Sequence, residues 1–208
     1  MDNKTCYIFA AGDFEGNFYP KDDDLIIAAD AGYHHLEMLG IMPDILLGDF
    51  DTIGTIPECS ETITFPTEKD YTDTELAFME GIKRGYNTFK IFGAIGGKRL
   101  EHTLGNLSLA ASYAKKGYDI LLSDGKSNVK AIYNSSYEFS GTEKGFISVF
   151  TISGTAEGVT ETNLKYPLSD ATLDGTNPTL CISNEFIDGQ KACISVRNGT
   201  LIIIWQNS

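Results

Sequence analysis

Leu46-Leu47-Gly48-Asp49-Phe50-Asp51-Thr52 decides how this chain is read. The apolar run Ile45–Leu47 has the composition of a buried strand, and it ends by delivering two carboxylates one residue apart. On a regular strand such side chains face one side, and at a strand end a loop can converge them. Upstream, Leu25–Ala29 is a second apolar run, and it too ends in a carboxylate, Asp30. Downstream, Lys69-Asp70-Tyr71-Thr72-Asp73 brings a further acidic pair to the place where a helix should start. Asp49, Asp51, Asp70 and Asp73 repel one another unless something cationic lies between them. A hard divalent ion carrying a polyphosphate suits that role, because Mg²⁺ takes oxygens from one or two carboxylates together with substrate phosphates. Phosphoryl-type chemistry is the expectation that follows.

Working outward, Tyr7–Ala11, Phe89–Phe92 and Ile120–Leu122 read as further buried strands. Helical patterns lie between the strands. Leu76, Met79 and Lys83 share one face after Asp73. Leu104, Leu107, Ala111 and Ala114 share another, with Gly117 as a stop. This alternation predicts a mostly parallel sheet with helices on its faces, a three-layer α/β domain over residues 1–125. Ligands in such sheets bind at the carboxyl ends of the strands, where the acidic pairs and the Gly96-Gly97 turn fall. After Asp124-Gly125-Lys126 the pattern changes. Val129–Tyr133, Phe146–Ile152, Leu180–Ser183, Ala192–Val196 and Leu201–Trp205 are short β-type runs, separated by turns such as Ser140-Gly141 and Ser153-Gly154. Asn198-Gly199 reads as a hairpin turn. Residues 126–208 are expected to form a small antiparallel β-sandwich domain.

Charge narrows the function. The 208-residue chain carries a formal −13, and residues 1–75 hold 17 Asp/Glu against only Lys4, Lys21 and Lys69. Asp22-Asp23-Asp24 reads as a solvated turn. No basic stripe appears, which argues against nucleic acid as a partner. No apolar stretch approaches the roughly 18 residues of a membrane span. The opening MDNKTCYIFA lacks a signal-peptide core, so a cytoplasmic protein is expected. Cys6, Cys59, Cys181 and Cys193 are widely spaced and read as free thiols.

Individual residues carry two readings each. Gly93 to His102 (GAIGGKRLEH) is a Gly-rich turn from strand into helix, able to present backbone N–H groups and two cations to phosphates. It is not GxxxxGK[ST], so the usual P-loop is excluded. Arg99 can fork onto a phosphate or pair with a surface carboxylate. Lys69 can meet a phosphate or stay solvated. Asp70 and Asp73 can serve a metal, or cap a helix and favour its positive end. Asp30 can bind a ribose or substrate hydroxyl, or cap a helix over Gly32–Leu39. His34 and His35 would lie on that helix's surface, and His102 reads as structural. Trp205 offers a stacking face or fills the core behind the last strand.

Taken in order, these segments resemble the thiamine pyrophosphokinase (thiamin diphosphokinase) family. Its pattern of AD-G-A, GDFDS, KDxTDxxxA, GGRxDHxLxN, SNE and a late tryptophan is met by Ala29-Asp30-Ala31-Gly32, Gly48-Asp49-Phe50-Asp51-Thr52, Lys69 to Ala77 (KDYTDTELA), Gly96 to Asn106 (GGKRLEHTLGN), Ser183-Asn184-Glu185 and Trp205. Glu101 stands where the pattern has Asp, Lys98 lengthens the Gly-rich turn by one, Thr52 replaces Ser and Ala31 a common Gly. The resemblance implies a homodimer with its active site at the dimer interface. It implies transfer of pyrophosphate from ATP to the hydroxyl of thiamine, with Mg²⁺ and release of AMP. It implies Asp49, Asp51 and Asp73 as metal carboxylates, with Asp70 in the same cluster and Asp51, Asp70 and Asp73 serving catalysis. It places Asp30, Lys69, Thr72, Gly96, Gly97, Arg99, Glu101, His102 and Asn106 on the nucleotide side, and Ser183, Asn184 and Trp205 on the thiamine side. Two rivals stand beside it. One is an aspartate-nucleophile phosphohydrolase, although Ile53 occupies the position where its DxDx[TV] motif needs Thr or Val. The other is a non-catalytic nucleotide- or thiamine-binding module.

Overall fold

The computed structural model describes residues 4–51, 57, 59–152 and 154–207. Thr52, Ile53 and Ser153, used in the sequence reading, lie outside the described residues. The chain divides into two compact units, Met1–Asn106 with Tyr118–Gly125 and Leu107–Gly117 with Lys126–Ser208.

In the first unit, strands β1 (Thr5–Phe9), β2 (Leu25–Ala29), β3 (Ile45–Gly48), β4 (Glu61–Thr64), β5 (Thr88–Phe92) and β6 (Asp119–Ser123) pair in parallel in the order β4-β3-β2-β1-β5-β6. Every residue of β2 and β3 is buried, which explains their unbroken apolar runs. β4, ETIT, has no such run and gave no signal in the sequence. Helices cover both faces. α1 (Tyr33–Leu39) buries Tyr33 and Leu36 in a cluster with Phe9, Ile26, Ala28, Leu46, Phe50 and Phe92. α2 (Asp73–Lys83) packs on the opposite face, where Phe78 meets Phe89 at 4.1 Å between ring centroids. Its buried stripe is Thr74, Ala77, Phe78 and Gly81, while Met79 is exposed, so the face through Leu76, Met79 and Lys83 is not the core face. α3 (Leu100–Ala114) likewise buries Asn106, Leu109, Ala110 and Ala111 and exposes Leu104. In both helices small residues share the packed side with one large residue, Ala77 and Gly81 with Phe78 in α2 and Ala110 and Ala111 with Leu109 in α3, so the spacing of large apolar residues alone does not mark it.

Strand order reverses about β1. Strands β2 to β4 extend one way from it, and β5 and β6 extend the other. This is the switch point at which the chain leaving adjacent strands parts and opens a crevice.

The second unit contains two antiparallel sheets. β7 (Ser127–Tyr133), β14 (Thr200–Gln206), β9 (Phe146–Phe150) and β12 (Asn184–Glu185) form one. β8 (Ser136–Glu138), β13 (Cys193–Ser195), β10 (Ala156–Thr162) and β11 (Leu168–Leu173) form the other. Trp205 of β14 packs against Tyr137 of β8, so the sheets share an aromatic core. Two expectations are corrected. Leu180–Ser183 is a turn, not a strand. Asn198-Gly199 is not a hairpin, because β13 pairs with β8 and β10 whereas β14 pairs with β7 and β9. That turn carries the chain from one sheet to the other. β10 and β11 bury only scattered positions of a polar sequence, so no apolar run announced them.

Candidate active site

A cleft of about 530 Å³ opens at the strand ends of the first unit. Ala10–Asp13 follow β1, Asp30 and Ala31 follow β2, and Gly93–Gly97 follow β5; the amino ends of α2 and α3 complete its lining. The floor is backbone packed on backbone. The Gly12 N–H donates to Gly93 O at 2.9 Å, and a Cβ on Gly12 would stand 2.4 Å from that oxygen.

Because β2 and β3 are neighbours in register, Ala29 opposite Leu47, the segments leaving them emerge side by side. Carboxylate oxygens of Asp30, Asp49 and Asp51 come within 4.8 Å of one another. Phe50 lies between the last two at φ 60 with its ring buried in the first unit's core, so the turn is anchored from below while Asp49 is half-buried and Asp51 exposed. The Asp51 N–H donates to Asp49 Oδ1 at 3.3 Å. This bond, with the nearby Lys69 charge and against the effect of burial, holds the Asp49 carboxyl below its ordinary range. Asp51 moves the other way, since the Asp49 charge, then burial and the charges of Asp30 and Asp73, raise it. Three acidic oxygens held this close, with one carboxyl pushed upward by the others, fit a hard cation with oxygen ligands.

Asp73 joins through Lys69. The Lys69 ammonium lies 2.7 Å from Asp73 Oδ1 and 3.5 Å from Asp49 Oδ2. The sequence reading grouped Asp49, Asp51 and Asp73 as metal carboxylates and gave Asp30 to the nucleotide; the fold instead puts Asp30 with Asp49 and Asp51. Asp70 is exposed and lies outside that trio. It is not the helix cap either. Thr72 caps α2, its hydroxyl accepting from the Glu75 N–H at 3.2 Å.

On the other wall, Gly96 and Gly97 adopt φ 75 and 77, conformations that side chains resist. The Gly97 N–H donates to Asp13 Oδ2 at 3.0 Å. Asn106 is buried in α3 and donates to Ala94 O at 2.7 Å, while Thr103 donates to Gly96 O at 3.2 Å, so α3 holds the Gly-rich turn by its backbone. Lys98, Arg99 and His102 line the cleft. Arg99 is exposed and its Nε donates to Glu101 Oε1 at 2.8 Å, and that contact lowers the Glu101 carboxyl.

Asp13 and His35 were missed. Ala11-Gly12-Asp13 follows β1 just as Asp30 and Asp49 follow β2 and β3, so the strand-end rule would have found it. His35 was expected on the helix surface, but its Nε2–H donates to Gly12 O at 2.8 Å and its ring meets Phe14 edge-on, tying α1 to the cleft floor.

In the second unit, Ser183 is exposed at φ 58, and its N–H donates to Ser148 Oγ at 3.0 Å. Asn184 is buried with all four hydrogen-bonding positions in use. Its amide donates to Glu161 Oε2 at 2.7 Å and to Tyr166 O at 2.8 Å, and its carbonyl accepts from the N–H groups of Tyr166 and Glu185. Glu161 is 1% exposed, and burial raises its carboxyl. Trp205 is 6% exposed, edge-on to Phe139 at 5.2 Å and tilted on Tyr137 at 5.7 Å. Lys130 lies 5.4 Å from the Tyr137 ring, and burial brings its ammonium down to about 8.

Comparison with known proteins agrees with this architecture. Residues 18–122 match the family model "Thiamin pyrophosphokinase, catalytic domain", and residues 136–201 match "Thiamin pyrophosphokinase, vitamin B1 binding domain". The chain is 32% identical to the thiamine pyrophosphokinase of Bacillus subtilis over 97% of this chain and 98% of that one. A crystal structure of thiamine pyrophosphokinase from Bacillus subtilis superposes with a TM-score of 0.85 at 30% identity, covering 99% of this chain and all of that one. One of thiamin pyrophosphokinase from Geobacillus thermodenitrificans does so with a TM-score of 0.83 at 26% identity, covering 98% of each.

Proposed function

The chain belongs to the thiamin pyrophosphokinase family, and from that premise we propose that it makes thiamine diphosphate by moving the pyrophosphoryl group of ATP to the hydroxyl of thiamine, releasing AMP. The observation that carries this reading is the meeting of Asp49 and Asp51 with Asp30, which lines the cleft together with the Gly96-Gly97 turn. Mg²⁺ is the ion those oxygens suit, and when bound it would supply charge neutralisation to the phosphates and a template for in-line displacement.

The chain's own groups do the rest. Backbone N–H groups of the Gly-rich turn, the amino end of α3, and the cations Lys98 and Arg99 cradle phosphates. Thr72 and Asp73 bring the amino end of α2 to the same cleft. The thiamine hydroxyl attacks the β-phosphorus as AMP departs, a reaction governed mostly by positioning and electrostatics. Asp73 receives the hydroxyl proton in this proposal, in preference to the exposed Asp70. His102 and Asn106 complete the nucleotide side, with Glu101 holding Arg99.

Thiamine recognition is assigned to the second unit. Ser183 presents its hydroxyl at the surface, Asn184 holds the turn that displays it, and Trp205, buried against Tyr137 and Phe139, acts on thiamine through the shape of the unit and not by stacking on it. A homodimer is part of the proposal. Phe146, Leu180 and Ile182 are exposed in this unit at 50%, 52% and 40%, apolar surface that a second copy would cover. The four free cysteines support a cytoplasmic setting. Among the described residues, no helix is long and apolar enough to cross a membrane.

The test is a product analysis. Protein mixed with thiamine, ATP and Mg²⁺ should yield thiamine diphosphate and AMP in equal amounts. ADP in place of AMP would overturn the pyrophosphoryl step. A phosphate trapped on Asp49 would favour the phosphohydrolase, and binding without products would favour the binding module.

A further inference from the structure

Among the described residues, the ion pairs of Asp49 and Asp73 are both made by Lys69. Its side chain is only 14% exposed, so the ammonium is held among the acids and does not extend into water. Lys69 belongs to the segment leading into α2, whereas Asp49 follows β3, so this one charge joins two loops. Asp30, Asp49, Asp51 and Asp73 need positive charge nearby to coexist, and Lys69 supplies it from within the chain.

We propose that Lys69 is a tethered counter-ion that competes with the divalent metal for Asp49, so that the metal enters efficiently only with the nucleotide whose phosphates give Lys69 a new partner. The proposal rests on the reading of the acidic trio as the metal site. A free divalent ion must displace the ammonium or sit beside it, and like charges a few ångströms apart oppose each other. A metal–nucleotide complex brings anionic oxygens as well, and the ammonium can turn from carboxylate to phosphate. Binding of metal and of nucleotide is then coupled, each raising affinity for the other.

The experiment measures Mn²⁺ binding to the full chain without nucleotide, by the electron paramagnetic resonance signal of free Mn²⁺, in wild type, Lys69→Met, Lys69→Arg and Asp49→Asn. Lys69→Met should bind Mn²⁺ roughly tenfold more tightly, because a nearby positive charge is gone. The same variant should show a raised KM for ATP, an effect of opposite sign. Lys69→Arg keeps the charge and should stay near the wild-type Mn²⁺ affinity. Melting in EDTA adds a second readout. Lys69→Met should melt lower than wild type, and Mn²⁺ should restore it by a larger margin. Lys69→Gln, with a circular dichroism spectrum taken as the check of folding, repeats the comparison with a polar substituent. Unchanged or weaker Mn²⁺ binding in folded Lys69→Met and Lys69→Gln would overturn the proposal while leaving the metal site standing. Equal Mn²⁺ binding by wild type and Asp49→Asn, or no binding by any variant, would remove the metal reading and this inference with it.

Discussion

Where β2 and β3 end, the first unit carries carboxylates that push against one another, whereas at the Ser183–Asn184 turn the second unit gives nearly every polar group a partner. Asp51 illustrates the first condition, raised chiefly by the charge of Asp49 and standing exposed. Asn184 illustrates the second, enclosed and fully hydrogen-bonded. Groups left in electrostatic conflict are stabilised by a ligand that resolves the conflict. Groups satisfied internally give shape, and a ligand meets the surface they support. Substitutions in the two places should therefore be felt differently, in turnover for the first unit and in stability for the second.

The sharpest break of that contrast is Trp205→Ala. Removing a buried indole between Tyr137 and Phe139 should cost about 3–5 kcal/mol of folding stability, read from denaturant unfolding. KM for thiamine should rise more than KM for ATP. Equal rises would restrict Trp205 to packing. Next comes Asp51→Asn, which should lower kcat on the order of 100-fold while the melting temperature stays level or rises, because repulsion with Asp49 is relieved. A near-wild-type rate at saturating Mg²⁺ would detach Asp51 from the metal.

Glu161 sharpens the comparison through pH. Its folded carboxyl is raised above the ordinary value of 4.5, so the folded state holds a proton that the unfolded state has released. Stability is then fully present below the ordinary glutamate range and is lost as pH rises through the raised folded value. Melting temperature should fall across that window, and Glu161→Gln, which keeps an oxygen for the Asn184 amide, should flatten the fall. A profile identical to wild type would show that Glu161 does not titrate there. The smallest effect is expected of Thr72→Ala, about 1 kcal/mol from loss of the α2 cap, measured by thermal unfolding.

The buried strands of the first unit were legible because burial on both faces writes itself as an unbroken apolar run, as in LIIAA and ILLG. The cleft was legible because acids and glycines interrupt such runs where a strand ends. The membership of Asp30 in the acidic trio was not, since it depends on β2 lying beside β3, a tertiary fact. Asp13 escaped for a similar reason. It contacts Gly97, a residue far along the chain that β1 meets only through its pairing with β5. In the second unit the half-buried strands β10 and β11 have polar sequences, and the hairpin signal of Asn198-Gly199 described the turn correctly but not which sheet each arm would join. Local chemistry sets a turn, and long-range pairing sets its partners.

The contact of Gly12 with Gly93 has a practical consequence for anyone reshaping the pocket by directed evolution. Randomising either position should return glycine alone among active clones, because a Cβ on Gly12 would strike the Gly93 carbonyl and one on Gly93 the Ala10 carbonyl. Productive diversity must come from the bordering positions Ala11, Asp13 and Ala94, whose variation can alter what the crevice accepts while the seam beneath it stays closed.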